Sequence, residues 1–508
     1  MNAKDAYAAL AAHSRACADL ASGLSLLSWD QQVMLPPAAH AGRAGQIGAL
    51  TALLHGQTTD PRIGDWLAVC EDSELTRDPL STEAANIREW RRDYTLAVKI
   101  PEDLAVALAR AASAGQRAWE LARAANDFSA FAPYLKVLLE LSLEKANALG
   151  YVGEPYDALL DVFEPGETVA SIAPILARLR TETTAILDAV AGAPQPKPLP
   201  AGPYPIAAQE RLLRRLMLLL GLPETASRLD VSAHPFSTLI GQNDARITVR
   251  FDEADFTKAF FGAAHETGHA LYSLGHAGSH YGTPMGEAVS LGVHESQSRL
   301  WENQVARSLP FWRHVLPLAA PHFPQLAGLS AEDLYRVVGA IRPGLIRVDA
   351  DETTYNPHIV LRFELELALV RGDLTVDELP GAWNEKSKAI LGLAPPTDAA
   401  GCLQDVHWSS GAFGYFPTYS LGNIYAACLF EAADKALPDL PEHMVAGEFG
   451  PLREWLGRTV HAKGRLLPPR ALITAATGAA PTAEPLLRHL RAKAAAIYGV
   501  TVRDVATN

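Results

Sequence analysis

Apolar residues recur at three- and four-residue spacing along most of the chain, and that period predicts helices at about 4–28, 40–56, 82–98, 102–149, 167–192 and 206–221. The same period continues at about 331–342, 354–371, 376–393, 418–435, 441–460 and 484–497. ADFTKAFFGAA, ahead of His265, is mostly apolar and predicts a largely buried helix that ends at Gly275. The Gly-rich GHAGSHYGTP that follows reads as a loop, with Thr283 as the cap and Pro284 as the first residue of a helix running through Glu302. Residues 234–251 break the helical pattern. Ile247, Thr248, Val249 and Phe251 behind a GQND turn predict one short strand or hairpin, an edge along which an extended peptide could lie. Pro36-Pro37 and DPRIGDW near Pro61 read as turns. The fold class is mostly α with a small β patch. AGAPQPKPLPAGPYP (191–205) separates a helical N-terminal part, 1–192, from a part at 206–508 that carries the candidate site. It suits a linker or a surface loop inside a single unit of residues 1–508.

With 508 residues, 48% of them hydrophobic, the chain can bury a large core or two fused lobes. Its net charge of −13 and lack of a basic run argue against nucleic acid or an anionic membrane as partner. Four cysteines (Cys17, Cys70, Cys402, Cys428) without CxxC spacing fit a reducing compartment. The N-terminal segment is an amphipathic helix with early charges rather than a signal peptide, and no apolar run approaches the ~20 residues that span a bilayer. The expected location is the cytoplasm.

The chemistry concentrates in His265-Glu266-Thr267-Gly268-His269. Residues four apart on a helix share a face, so both imidazoles can meet one metal ion, zinc being the simplest choice. Glu266 projects about 100° away, where it can reach a water at the metal. A buried helix carrying two histidines and a glutamate in mid-span needs such a reason. The metzincin pattern is excluded, because Tyr272 and Gly275 stand where it needs glycine and a third histidine. A carboxylate from the second predicted helix is then the third ligand. Glu295, well inside that helix, is preferred to Glu287 in its first turn, and His276, His280 and His294 are weaker candidates.

Two further stretches carry candidates. GCLQDVHWSSGAFGYFPTYSLGN (401–423) is dense in polar and aromatic groups, and His407 with Tyr415 or Tyr419 could serve an oxyanion, against the plainer reading of aromatic packing. In IRPGLIRVDADETTYNPHIV, Arg347 could clamp a substrate carboxylate, or simply pair with Asp349 or Asp351. Asp351 or Glu352 could orient a ligand histidine through its second nitrogen.

The ordered set HPF (His234 to Phe236), DARIT (Asp244 to Thr248), HETGH, HESQ (His294 to Gln297) and IRVDADE (Ile346 to Glu352) resembles the Taq-type metallocarboxypeptidases, peptidase family M32. WDQQVMLPPAAHAGRAGQ near Trp29 and GYFPTYSLGN near Tyr415 extend the likeness over most of the chain, although WDQQVMLPP departs slightly from the family's WDxxTxMP. The resemblance implies a large, almost all-helical zincin fold with a long substrate cleft, akin to neurolysin and angiotensin-converting enzyme, and a homodimer. It implies removal of single residues from peptide C-termini with broad specificity, disfavouring proline, with zinc or sometimes cobalt. Carried over by motif, the ligands are His265, His269 and Glu295, with Glu266 as base. Arg347 binds the terminal carboxylate, Asp244 and Arg246 bind substrate, and Tyr415 or Tyr419 assists. An oligopeptidase or dipeptidyl carboxypeptidase could use the same zinc helix, and a helical peptide-binding scaffold is the reading without catalysis.

Overall fold

The computed structural model describes residues 1–503. Helices form nearly all of it, beside one three-stranded sheet, as the hydrophobic period predicts. The departures have local causes. The 102–149 run is two helices, Glu102–Ala125 and Phe128–Leu149. Asn126 between them takes the left-handed conformation at φ 54°, and the Asp127 side chain accepts from the Ala130 amide to start the second. The 441–460 run likewise divides into Leu440–Ala446 and Gly450–Thr459. DPRIGDW, read as a turn, opens a helix, Pro61–Glu71. Asp60 caps it by accepting from the Arg62 amide, and Pro61 occupies the first position, where its missing N–H costs nothing. Helices Pro155–Asp161, Leu309–Ala319 and Pro469–Thr477 are further additions, each with proline at or near its start.

One cluster of buried side chains extends from Trp119 to Tyr498. A smaller one, including Leu10, Leu67, Ile87 and Trp90, joins helices Ala3–Val33, Pro61–Glu71 and Thr82–Lys99. The proline-rich stretch is not solvent-filled throughout. Its Tyr204 is fully buried, with ring centroids 5.1 Å from Phe256 and 5.2 Å from Phe323. Among the described residues no helix is long and apolar enough to cross a membrane.

The sheet comprises β1 (Ser227–Val231), β2 (Phe236–Leu239) and β3 (Ala245–Val249) in the order β1-β3-β2. β2 and β3 are the predicted hairpin, paired antiparallel with Ser237 opposite Ile247. β1, SRLDV, pairs parallel to β3 and was not predicted, since two of its five residues are charged. Ala245, Ile247 and Val249 form the buried face of β3.

The helix carrying His265 spans Phe256–Gly275, with the Asp255 side chain accepting from the Thr257 amide. Gly275 closes it for a reason other than turn geometry: a Cβ there would sit 2.3 Å from His461 Nδ1. The second helix starts later than expected. Thr283-Pro284 yields only a single 3-10 turn, Pro284–Gly286, while Ser290 caps Leu291–Arg299 by accepting from the Val293 amide. Glu287 therefore lies outside that helix, near Arg465 at 3.4 Å. Past Arg299 the coil continues as a wider π-helix, Leu300–Ala306.

Two contacts fix this second helix. At its start the fully buried Glu164 accepts from the Gly292 amide at 2.8 Å and from the Tyr425 hydroxyl at 3.2 Å. Against its middle the His265 helix comes so close that a Cβ on Gly268 would lie 2.5 Å from the Gln297 carbonyl oxygen. Gly268→Ala should therefore separate the helices and lower stability by about 1–3 kcal/mol, the usual cost of overpacking, read as a lower unfolding midpoint in denaturant. Burial pushes the Glu164 carboxyl up to about 8, against its hydrogen bonds. An acid whose pKa is raised on folding stabilises most below its unfolded value and loses that contribution as pH climbs through the folded one. Glu164→Gln should accordingly gain stability relative to wild type between about pH 4.5 and 8, checked by unfolding at several pH values.

Candidate active site

The two helices bring three donors together. His265 Nε2 and His269 Nε2 lie 3.6 and 3.4 Å from Glu295 Oε2, and all three ligand atoms fall within 4.8 Å of one another. A tetrahedral ion with bonds of about 2.0–2.2 Å separates its ligand atoms by roughly 3.3–3.6 Å, so the donor set and its spacing fit a divalent metal. Of the two carboxylates considered, the one inside the helix is the one that converges. Glu266, buried beside the pair, has its carboxyl pushed up by desolvation, against the two histidines that pull it down.

The surroundings of Glu295 leave one oxygen for a metal. Arg299 Nε donates to Oε1 at 2.7 Å, while Oε2 takes a longer contact from the Ser298 hydroxyl at 3.1 Å. Burial pushes Glu295 up, but Arg299 and both histidines outweigh it and hold the carboxyl well below the usual range. Arg299 Nη1 also donates to Glu302 Oε2 at 3.0 Å, and Arg307 Nη2 to Glu302 Oε1 at 3.1 Å. Two carboxylates and two guanidiniums thus share a buried network.

Glu302 also receives His265 Nδ1 at 3.0 Å. It is Glu302, not Asp351 or Glu352, that orients one of the candidate ligand histidines. Asp351 instead caps helix Glu352–Arg371 by accepting from the Thr353 and Thr354 amides, and Glu352 holds His489 and Lys493. His269 Nδ1 lies 2.6 Å from His294 Nδ1. With Nε2 of His269 kept for a metal, its proton sits on Nδ1 and donates to His294, whose own Nε2–H faces the Ser273 hydroxyl at 3.3 Å. Burial and the adjacent His269 hold His294 well below the ordinary imidazole range, which suits a neutral acceptor. Sequence spacing had offered His294 only as a weak ligand. Glu302 carried no local signal, whereas the Glu295–Arg299 pair, four apart on a helix, was readable.

Arg347 does not pair with Asp349 or Asp351. Its Nε and Nη2 donate to Asp405 Oδ1 at 3.0 and 2.8 Å, and Nη1 donates to the Tyr355 hydroxyl at 2.8 Å. A guanidinium has five N–H donors, so these bonds leave one on each terminal nitrogen. The Tyr355 ring lies under Arg299, 4.2 Å away, and so links Arg347 to the network around Glu295. His407 Nε2 meets the Tyr419 hydroxyl at 3.1 Å, and burial pulls His407 down to about 3, leaving a neutral ring. Tyr415 packs beside both, 5.0 Å from His407 and 5.3 Å from Tyr419, and burial and the Glu295 charge raise its phenol. Asp244, directly before β3, and Arg246 on it hold each other through bonds of 3.0 and 2.9 Å, with the guanidinium 4.2 Å over Trp29. His276 stacks on Tyr272, 4.7 Å away.

Residues 9–494 match the family described as Carboxypeptidase Taq (M32) metallopeptidase. The chain belongs to that family. It is 47% identical to the thermostable carboxypeptidase 1 of Thermus thermophilus, over 98% of this chain and all of that one. Carboxypeptidase 1 of Bacillus subtilis is 35% identical over 94% of this chain and 95% of its own length. The crystal structure of the M32 carboxypeptidase from Deinococcus radiodurans R1 superposes with a TM-score of 0.94 at 38% identity, covering 98% of this chain and all of that one. The M32 enzyme described here is accordingly a metallocarboxypeptidase, a hydrolase of peptide bonds.

Removing Glu302 takes one anionic partner from each of Arg299 and Arg307 and leaves the second nitrogen of His265 unpaired. Glu302→Ala should weaken metal affinity about 10–100-fold, measured by competition with a chromogenic chelator.

Proposed function

We propose that the enzyme is a zinc-dependent carboxypeptidase that releases single residues from peptide C-termini with broad specificity, disfavouring proline, and accepts cobalt as a substitute. In this reading it works in the cytoplasm as a homodimer. The observation that carries the proposal is the convergence of His265, His269 and Glu295 beside a buried Glu266, with the free N–H groups of Arg347 linked to the same network through Tyr355.

Zinc held by His265, His269 and Glu295 would act as a Lewis acid and lower the pKa of water to ~7. Glu266 takes a proton from the attacking water and later gives it to the leaving amine. Glu302 and His294 keep the proton of each ligand histidine on Nδ1, away from the ligand nitrogen. Arg347 takes the substrate's terminal carboxylate on its two remaining N–H groups, and its bonds to Asp405 and Tyr355 fix the direction of that fork. His407 and a tyrosine stabilise the oxyanion. Tyr415 is the better candidate of the two, because the Glu295 charge is, after burial, the main influence raising its phenol, whereas at Tyr419 it ranks last. Asp244 and Arg246 contact the peptide as a pair.

The oligopeptidase and dipeptidyl carboxypeptidase alternatives differ in the size of the fragment released. A peptide ladder digest read by mass should show losses of one residue at a time, abolished by chelator, whereas two-residue steps would replace the proposal. Glu266→Gln should keep its metal and lose at least about 10²-fold in kcat. Arg347→Ala should abolish the preference for free over amidated C-termini with metal content unchanged, and equal cleavage of both peptides by the wild type would remove the carboxylate clamp.

A further inference from the structure

His407 and Tyr415 stand on a loop between helices Leu379–Leu391 and Pro417–Ala436. Asp405 anchors the start of that stretch, held by Arg347 and by Arg362, whose Nε donates at 2.6 Å. Two later points of it are held by one side chain that the reaction described above does not use. Glu366, fully buried on helix Glu352–Arg371, accepts from Trp408 Nε1 on one oxygen at 2.8 Å. Its other oxygen accepts from the Gly414 amide at 3.2 Å and from the Tyr156 hydroxyl at 2.7 Å. Trp408 directly follows His407, and Gly414 directly precedes Tyr415. Gly414 has φ +87°, and a Cβ there would lie 2.7 Å from the Leu159 backbone. The loop is therefore pressed against helix Pro155–Asp161, the same helix that supplies Tyr156.

We propose that Glu366 is a positioning residue for peptide hydrolysis: its two oxygens hold the segments next to His407 and Tyr415, and so set where both groups sit relative to the scissile bond. The inference rests on the reading of those two groups as oxyanion donors. One carboxylate thus ties the residue after His407 to the residue before Tyr415, which couples the placement of the two groups. Burial pushes its carboxyl up to about 7 against the pull of those three donors. A carboxylate is the acceptor the geometry needs, because Trp408, Gly414 and Tyr156 all donate. An amide in its place offers one acceptor atom and turns an N–H donor toward at least one of them.

Misplacing a catalytic group by about 1 Å can cost 10²-fold in rate. Glu366→Gln should lower kcat at least about tenfold, change KM less than about threefold, and leave metal content at the wild-type level. Amide exchange in residues 405–416 should quicken, a readout independent of turnover. In a Tyr415→Phe background the same substitution should cost less, because one of the two groups it positions is already gone. Turnover within about twofold of wild type, or a full additive loss in the Tyr415→Phe background, overturns the inference. If Tyr415→Phe and His407→Ala themselves keep full turnover, the oxyanion reading fails and the inference falls with it. That outcome differs from slow Tyr415→Phe and His407→Ala enzymes beside a normal Glu366→Gln one, which sinks the positioning role alone. Should Glu366→Gln not fold, Trp408→Phe removes one of the donors while keeping the carboxylate, and the same pattern is expected with a smaller loss in kcat.

Discussion

The burial of Glu295 is the constraint on which the rest of the site depends. A lone carboxylate at that depth would take up a proton rather than stay charged. Arg299 prevents this by occupying one oxygen, and the other is left facing two imidazoles. The guanidinium in turn needs a second anion, which Glu302 supplies, and Glu302 needs Arg307 and His265. Breaking one partner out of such a buried set costs about 3–5 kcal/mol, because an uncompensated charge is left behind. The π-helix at Leu300–Ala306 belongs to this arrangement, since its wider winding carries Glu302 and leads directly into Arg307.

Charge alone does not make a peptidase, and the other end of the site is tied to the first by an aromatic ring. Tyr355 lies against Arg299 and accepts a hydrogen bond from Arg347. Arg347 is locked to Asp405, which is locked to Arg362. The distance between the metal ligands and the cation that would receive a chain end is thus set by packed, bonded groups rather than by a flexible loop. A fixed distance of that kind is what an enzyme that counts one residue from a terminus requires, and it is obtained by preorganisation.

The zinc motif, its apolar helix and the choice of Glu295 over Glu287 were legible in the sequence, because helical periodicity and motif spacing act over a few residues. The helix starts at Pro61, Pro155 and Pro469 were not, because proline serves equally as a turn residue and as the first residue of a helix. Only the cap before it distinguishes the two, as Asp60 does for Pro61. β1 escaped because a parallel partner arrives across a crossover and leaves no hairpin signal. The partners of the ligand histidines were hidden for a different reason. Glu302 lies 37 residues from His265, and Asp405 lies 58 from Arg347. Such pairs follow from tertiary packing: Asp349, two residues from Arg347, was the local guess that folding overrode, and sequence distance gave no ground for choosing between Glu302 and Asp351 as the partner of a histidine.

Buried carboxylates here fall into two kinds, and the difference follows from what faces them. Glu295, Glu302 and Asp405 face guanidiniums and are held well below the ordinary range, so they stay charged across any working pH. Glu164 and Glu366 face mainly amide, hydroxyl and indole donors, and burial lifts them to about 8 and about 7. The first kind holds charge where a metal and a substrate carboxylate would bind. The second kind holds backbone: Glu164 the start of the helix that carries Glu295, Glu366 the loop that carries His407 and Tyr415. Neutral donors cannot compensate a buried charge as guanidiniums do, so these two anchors are the more weakly held of the set. They also bear on the two segments whose placement the proposed chemistry needs. The fold thus keeps its strongest electrostatics for ligand geometry, and past the ion-paired Asp405 the oxyanion side rests on hydrogen bonds from neutral donors.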